Sequence, residues 1–179
     1  GGSLNTRIKE FVRPALTNRS IRYAVQDYLA GGARKKHIRD KYGEINNWDV
    51  SKVTDMSSMF YNTRAFNQPL NNWNVSNVKY ITAMFYHAHS FNQPLNNWDV
   101  SNVTNMGTMF QGARSFNQPL NKWNVSKVTY MFGLFCSATS FNQPLNNWDV
   151  SNVEDMSYMF HGAESFNQPL HAPWYEEYS

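Results

Sequence analysis

Trp48, Trp73, Trp98, Trp123 and Trp148 stand 25 residues apart, and Phe66, Phe91, Phe116, Phe141 and Phe166 keep the same step. Pro69, Pro94, Pro119, Pro144 and Pro169 follow it as well. An unbroken period of this length restricts a chain to a stack of like units, each packed on its sequence neighbours. One unit reads W-[DN]-V-S-x-V-x-x-M-x-x-M-F-x-x-A-x-S-F-N-Q-P-L-N-N, and the phase does not slip through residue 170. An insertion in any unit would break that phase, so every unit has to sit in register on the next.

The apolar positions of one unit are few: Trp98, Val100, Val103, Met106, Met109, Phe110, Ala113, Phe116 and Leu120 in the third. They cannot close a core alone, but stacked units can bury them as continuous columns, which makes the Trp and Phe positions a structural ladder. Trp-Asx-Val-Ser alternates as a strand does, with Trp98 and Val100 on one face and Asp99 on the other. Met106, Met109, Phe110 and Ala113 follow at helical spacing, and Pro119 closes the turn after Phe116. Each unit is therefore expected to be a strand, a corner, a short helix and a second corner. The helical stretch is short, and an all-β unit fits the same residues. Strands stack about 4.8 Å apart and helices about 8–10 Å, so the stack should bend with its strands on the concave side. The expected fold class is an α/β repeat, a solenoid of five 25-residue coils over residues 46–170, with a helical cap over 1–45 and a tail or second cap over 171–179.

Charge divides along the same boundary. Residues 1–45 carry ten Lys and Arg against four Asp and Glu, whereas the remainder carries six against nine. Solenoid ends expose apolar faces and strand edges and need covering. Ser20 or Asn18 can cap a helix whose Ile21, Ala24, Val25, Tyr28 and Leu29 form one apolar stripe, ended by Gly31 and Gly32. A second helix from Ala33 to about Lys41 presents Arg34, Lys35, Lys36, Arg39 and Lys41, and an earlier one near Asn5 to Val12 stops at Pro14. At the other end, His171 to Tyr175, with Trp174, can fold over the last coil, hang free or meet a second molecule.

The residue after Trp is Asp49, Asn74, Asp99, Asn124 and Asp149 in turn. Alternating acid and amide keeps stacked carboxylates from repelling while leaving an acceptor in every coil. Duplication of a two-coil unit would leave the same alternation, and a calcium ladder would need many more clustered oxygens. Asn92-Gln93, Asn117-Gln118 and Asn142-Gln143 can hydrogen-bond from coil to coil as stacked amides.

Signs of catalysis are sparse, and the chain is read as having no enzyme activity and no cofactor. His87 and His89 lie in one coil with no third ligand in the neighbouring columns, so no metal site is expected. Cys136 is the only cysteine, which excludes an intrachain disulfide, and it has no activating His–Asp arrangement. No glycine-rich phosphate loop is present. An apolar content of 41% with 16% aromatics argues against disorder, and no apolar run approaches the ~18 residues of a transmembrane helix.

The unit W-D-V-S-N-V-T-N-M-x-x-M-F-x-x-A-x-S-F-N-Q-P-L closely resembles the BspA-like leucine-rich repeats of bacterial surface proteins, mycoplasma lipoproteins, some protists and some large DNA viruses. The lead-in from Ala24, Val25, Tyr28 and Leu29 to Tyr42, Gly43, Ile45 and Trp48 looks like the cap that often precedes this repeat, so the resemblance covers roughly residues 20–170. It implies a right-handed leucine-rich-repeat-like solenoid, an association with adhesion and host-protein binding, and no catalytic residues. It also implies a cell-surface or secreted protein, although Gly1-Gly2-Ser3 looks like an expression remnant, no leader is visible, and an intracellular, including virus-encoded, setting stays open.

Function is sought at the columns that vary from coil to coil. Those around the helical spacing should face outward, and Tyr and Arg are types enriched at binding hot spots. Tyr80, Tyr130, Phe132, Tyr158, Arg64 and Arg114 are the expected reading surface for a protein partner. Two other readings stand beside it. One is a spacer, monomeric or weakly self-assembling end to end; the other is nucleic-acid binding through Arg34 to Arg39, where clustered positive charge is an unspecific signal.

Overall fold

The computed structural model describes residues 12–168. Its regular structure lies at the N-terminal end: helix α1 (Asn18–Ala30), helix α2 (Gly32–Tyr42) and a 3-10 turn η1 (Ile45–Asn47). After η1 the described chain is turns and short extended pieces. Isolated parallel bridges join Asp55 to Tyr80, Tyr80 to Asn105, Asn105 to Tyr130 and Tyr130 to Asp155, and no sheet forms among the described residues. The expected α/β solenoid of five coils is therefore overturned. Trp-Asx-Val-Ser makes no bridge to its neighbours, the Met–Phe stretch is not helical, and the unequal spacing expected of strands and helices disappears with them.

Chained β-turns take the place of the helix. In the third repeat Met109 N–H bonds to the Met106 carbonyl at 3.3 Å, Gln111 to Thr108 at 3.1 Å, Ala113 to Phe110 at 3.0 Å and Phe116 to Ala113 at 3.2 Å. Thr108 and Gly112 sit at φ 54° and 68°, where a right-handed helix cannot continue. The alternate N–H groups turn away from their own repeat. Those of Met106, Thr108, Phe110 and Gly112 donate to the carbonyls of Tyr130, Phe132, Leu134 and Cys136 at 3.1, 2.7, 3.0 and 2.8 Å. The same pattern joins residues 56–62 to 80–86. A turn places residues i and i+3 on one side, as a helix does, so Met106, Met109, Phe110 and Ala113 are all fully buried. The i, i+3 spacing is real, but every second N–H donates to the next repeat instead of continuing a helix.

Ring columns fill the interior. The tryptophans stack with centroids 6.2 to 6.5 Å apart. Phe60, Phe85, Phe110, Phe135 and Phe160 stack at 5.6 to 5.9 Å, and the column of Phe66 at 5.9 to 6.1 Å. Among the described residues each indole N–H is satisfied by backbone. Trp98, Trp123 and Trp148 donate to the carbonyls of Leu70, Leu95 and Leu120 at 2.9, 2.9 and 3.0 Å, and Trp73 to Ile45 at 2.6 Å. A buried indole otherwise loses its water hydrogen bond without replacement.

The cap closes the stack by imitating a repeat. Thr17, rather than Ser20 or Asn18, is the N-cap of α1, and Ser20 returns the bond in a capping box. Asn18 points at the first repeat: its Oδ1 accepts from Thr54 N–H at 2.8 Å and its Nδ2 donates to Thr54 Oγ1 at 2.9 Å. In later repeats the matching N–H groups of Lys79, Thr104, Thr129 and Glu154 donate to carbonyls of the preceding repeat. Ile21, Ala24, Val25 and Tyr28 are buried, whereas Leu29, expected in the apolar stripe, is 41% exposed. The helix expected near Asn5 to Val12 and the tail from His171 lie outside the described residues, apart from Val12 itself, which is exposed and non-helical.

Candidate interaction surface

Of the six residues expected to form a reading surface, Tyr130, Phe132 and Tyr158 come together in one group, Arg64 and Arg114 lie near a second, and Tyr80 joins neither. In the first group Tyr130 lies 6.3 Å from Phe132, and Phe132 meets Tyr158 edge-on at 5.6 Å. His161 adds a fourth ring, perpendicular to Tyr158 at 5.7 Å. Gly107 makes the room: a Cβ there would stand 2.5 Å from Tyr130 Cε1, so the Tyr130 ring lies flat on the backbone of the preceding repeat. Tyr130 and Phe132 are half-buried, not fully outward as expected, and Tyr158 is 61% exposed. Tyr80 is 46% exposed and makes no ring contact among the described residues.

Arg64 and Arg114 belong to the second group, whose rings the variable-column reading left out. Tyr61 and Tyr86 stack at 4.8 Å and 5°, His87 lies on Tyr86 at 4.4 Å, and His89 is 5.6 Å further on. Gly112 accommodates His87, as Gly107 does Tyr130. Burial, then the charges of Arg114, Arg64 and His87, hold His89 below the usual imidazole range. A signal for this group existed, since the period already puts Tyr61 and Tyr86 in one column.

The remaining candidates show how polar groups are occupied. Asp49, Asp99 and Asp149 each accept from the hydroxyl or the N–H of the serine two residues on, and Asn74 does so from Ser76. The acceptor thus serves its own repeat as an Asx turn, not its neighbour. The serine hydroxyl first, then the serine N–H, hold these three carboxyls below the ordinary carboxylate range. The Asn-Gln pairs do run between repeats. Asn117 N–H donates to Asn92 Oδ1 at 3.0 Å, and Gln118 Nε2 to the same oxygen at 3.1 Å. No cluster of three His, Cys, Asp or Glu that could hold a metal occurs among the described residues. Cys136 is partly buried, with its sulfur 3.9 Å from Ser137 Oγ.

On the cap, Arg34 pairs with Asp27 at 2.5 Å, Lys36 with Asp40 at 2.7 Å and Arg39 with Glu44 at 2.5 Å. Lys35 lies over the Tyr28 ring at 4.5 Å. No helix among the described residues is long and apolar enough to cross a membrane.

Side-by-side units joined by backbone bonds, with invariant rings inside and variable rings on one edge, define a repeat protein. More narrowly, the family model described as "Mycoplasma protein of unknown function, DUF285" matches residues 34–135 and 95–177, and the chain belongs to that family. No curated protein and no solved structure matches it.

Proposed function

We propose that the chain is a non-catalytic module that binds a protein partner through the edge carrying Tyr130, Phe132 and Tyr158, an adhesion-type role in keeping with its resemblance to BspA-like surface proteins. The observation that carries this reading is the ring cluster itself. The Trp and Phe columns put their rings inside, yet here three rings gather at the surface over a glycine that admits one of them. Partly exposed aromatic clusters supply contact area with little side-chain entropy to lose, and such residues dominate interface energetics. Nucleic-acid binding through the cap has less support, because Arg34, Lys36 and Arg39 already face carboxylates and would release fewer counterions from a phosphate backbone.

The test uses a protein captured by the full chain from a host surface extract. Its affinity is then measured against wild type, Phe132→Ala and Gly107→Ala. Phe132→Ala removes the middle ring, and Gly107→Ala displaces Tyr130 without deleting it. Each should weaken binding about tenfold or more, roughly 1.4 kcal/mol. Unchanged affinity in both would remove this surface from consideration, and a steep fall of wild-type binding with salt would move the site to the cap.

A further inference from the structure

Every later repeat meets its predecessor through an amide pair, and the second repeat adds a ring contact. Tyr86 lays its ring on Tyr61. Asn92 N–H donates to Asn67 Oδ1 at 2.9 Å, and Gln93 Nε2 donates to the same oxygen at 3.1 Å. The amide pair recurs up to Asn167 and Gln168, which bond to Asn142 Oδ1 at 3.0 and 2.9 Å. The first repeat has no predecessor. Among the described residues Asn67 N–H and the Gln68 side-chain amide donate to nothing, and Tyr61 has a ring on one face only. The cap supplies a substitute where Asn18 serves Thr54 and Arg22 donates to the Ser57 carbonyl at 2.7 Å, but no such bond reaches residues 61–68.

Two adjoining clefts of about 250 Å³ each lie there between α1 and the first repeat. Val25, Gln26, Leu29, Met59 and Tyr61 line the first, and Tyr28, Lys35, Phe66, Asn67 and Gln68 line the second. Leu29 lines both, so the two form one groove with an aromatic wall at one end and open amide donors at the other. Lys35 and Arg22 are its charged lining residues, Arg22 being paired with Asp55 at 3.6 Å, and no carboxylate lines either part.

We infer that this groove holds an extended acidic segment of a protein partner, one aromatic side chain stacking on the open face of Tyr61 and a carboxylate accepting from Asn67 N–H and Gln68 Nε2. The inference rests on the protein-binding reading above but uses a different face. The segment supplies the side-chain oxygen that a preceding repeat supplies everywhere else, and a ring for the face of Tyr61 that Tyr86 leaves uncovered. Lys35, which lines the same part of the groove as Asn67 and Gln68, favours a carboxylate over an amide in the acceptor role. Because α1 covers the Thr54–Ser57 part of the same face, a whole repeat of a second copy cannot stack there, whereas an extended segment can.

The experiment selects phage-displayed random dodecapeptides on the full chain. The strongest are then measured by fluorescence polarisation against wild type, Tyr61→Ala, Gln68→Ala and Phe132→Ala, with a single-stranded oligothymidine as a second probe. Tyr61 and Gln68 are exposed, so both groove variants should keep the wild-type near-ultraviolet circular dichroism. The expected result is enrichment of acidic peptides with an aromatic residue, a loss of about tenfold or more in each groove variant, and none in Phe132→Ala. Three results would overturn the inference. Selected peptides could bind both groove variants as well as wild type; if they then failed on Phe132→Ala, the lateral-edge reading would stand alone. No acidic aromatic peptide could be enriched at all. Or the oligothymidine could bind in a Tyr61-dependent way without such peptides, which would make the groove a nucleic-acid site.

Discussion

Trp98 combines two roles that a single substitution can separate. Its ring lies in the tryptophan column and is 3% exposed, and its N–H satisfies the Leu70 carbonyl one repeat back. Trp98→Ala should cost about 3–5 kcal/mol, the usual penalty for emptying a large aromatic site. Trp98→Phe keeps a ring and removes only the indole bond, since the Leu70 carbonyl still accepts from Trp73 N–H at 3.0 Å, so about 1 kcal/mol is expected for the lost bond. Urea midpoints at equal slope would separate the two costs. The Asx carboxylates make an acid prediction. Asp49, Asp99 and Asp149 have folded pKa values below their unfolded value, so their contribution is present above the ordinary carboxylate pKa of 3.8 and is lost as pH falls through the lower folded value. Replacing all three by Asn retains the turn, as Asn74 and Asn124 already make it, and removes the titration. Thermal melts below about pH 4 should show a smaller acid loss in the triple variant than in wild type; equal losses would place acid sensitivity elsewhere.

At the scale of elements the cap was largely legible and the repeats were legible only in part. The stripe Ile21, Ala24, Val25 and Tyr28 gave α1, since a helix is the one regular element that puts those spacings on one face. Which polar residue caps it was not legible. Thr17, Asn18 and Ser20 are all good N-caps, and only the position of the first repeat draws Asn18 away to Thr54. Asn18→Ala should cost about 1 kcal/mol. It should also speed hydrogen exchange at Thr54 and Asp55 selectively, while the amides of α1 stay protected because Thr17 still caps them. Uniform acceleration across α1 would mean that Asn18 acts through the helix. In the repeats, helical spacing and chained turns bury the same residues. What separates them is the partner of every second N–H, which lies one repeat away and leaves no mark within the unit.

For the molecule as a whole, the bonds between repeats predict how length can change. Deleting residues 74–98 removes one 25-residue period and restores Trp73 to the column above the old Trp123 phase. That chain should still unfold cooperatively, with a denaturant slope reduced in proportion to the surface no longer buried. Deleting one residue fewer should abolish cooperative unfolding, because every ladder N–H and every ring downstream would be displaced against its partner. A shortened chain that tolerates either deletion would show that the repeats fold independently of register. The candidate surface belongs to this scale too. The period placed Tyr130, Phe132 and Tyr158 in neighbouring columns, but their meeting depends on Gly107 in another repeat.

The sequence by itself determined the period, the in-register stack of ring columns, the amide pairs between repeats and the helical cap, because each rests on a residue type recurring at a spacing. Tertiary structure alone decided that the repeats are turns without helix or sheet, that tryptophan N–H groups end on leucine carbonyls, and that the groove under α1 has open donors. Those features depend on where a backbone hydrogen bond goes when it leaves its own repeat, and a one-dimensional spacing records which residues face inward but not which neighbour receives the bond.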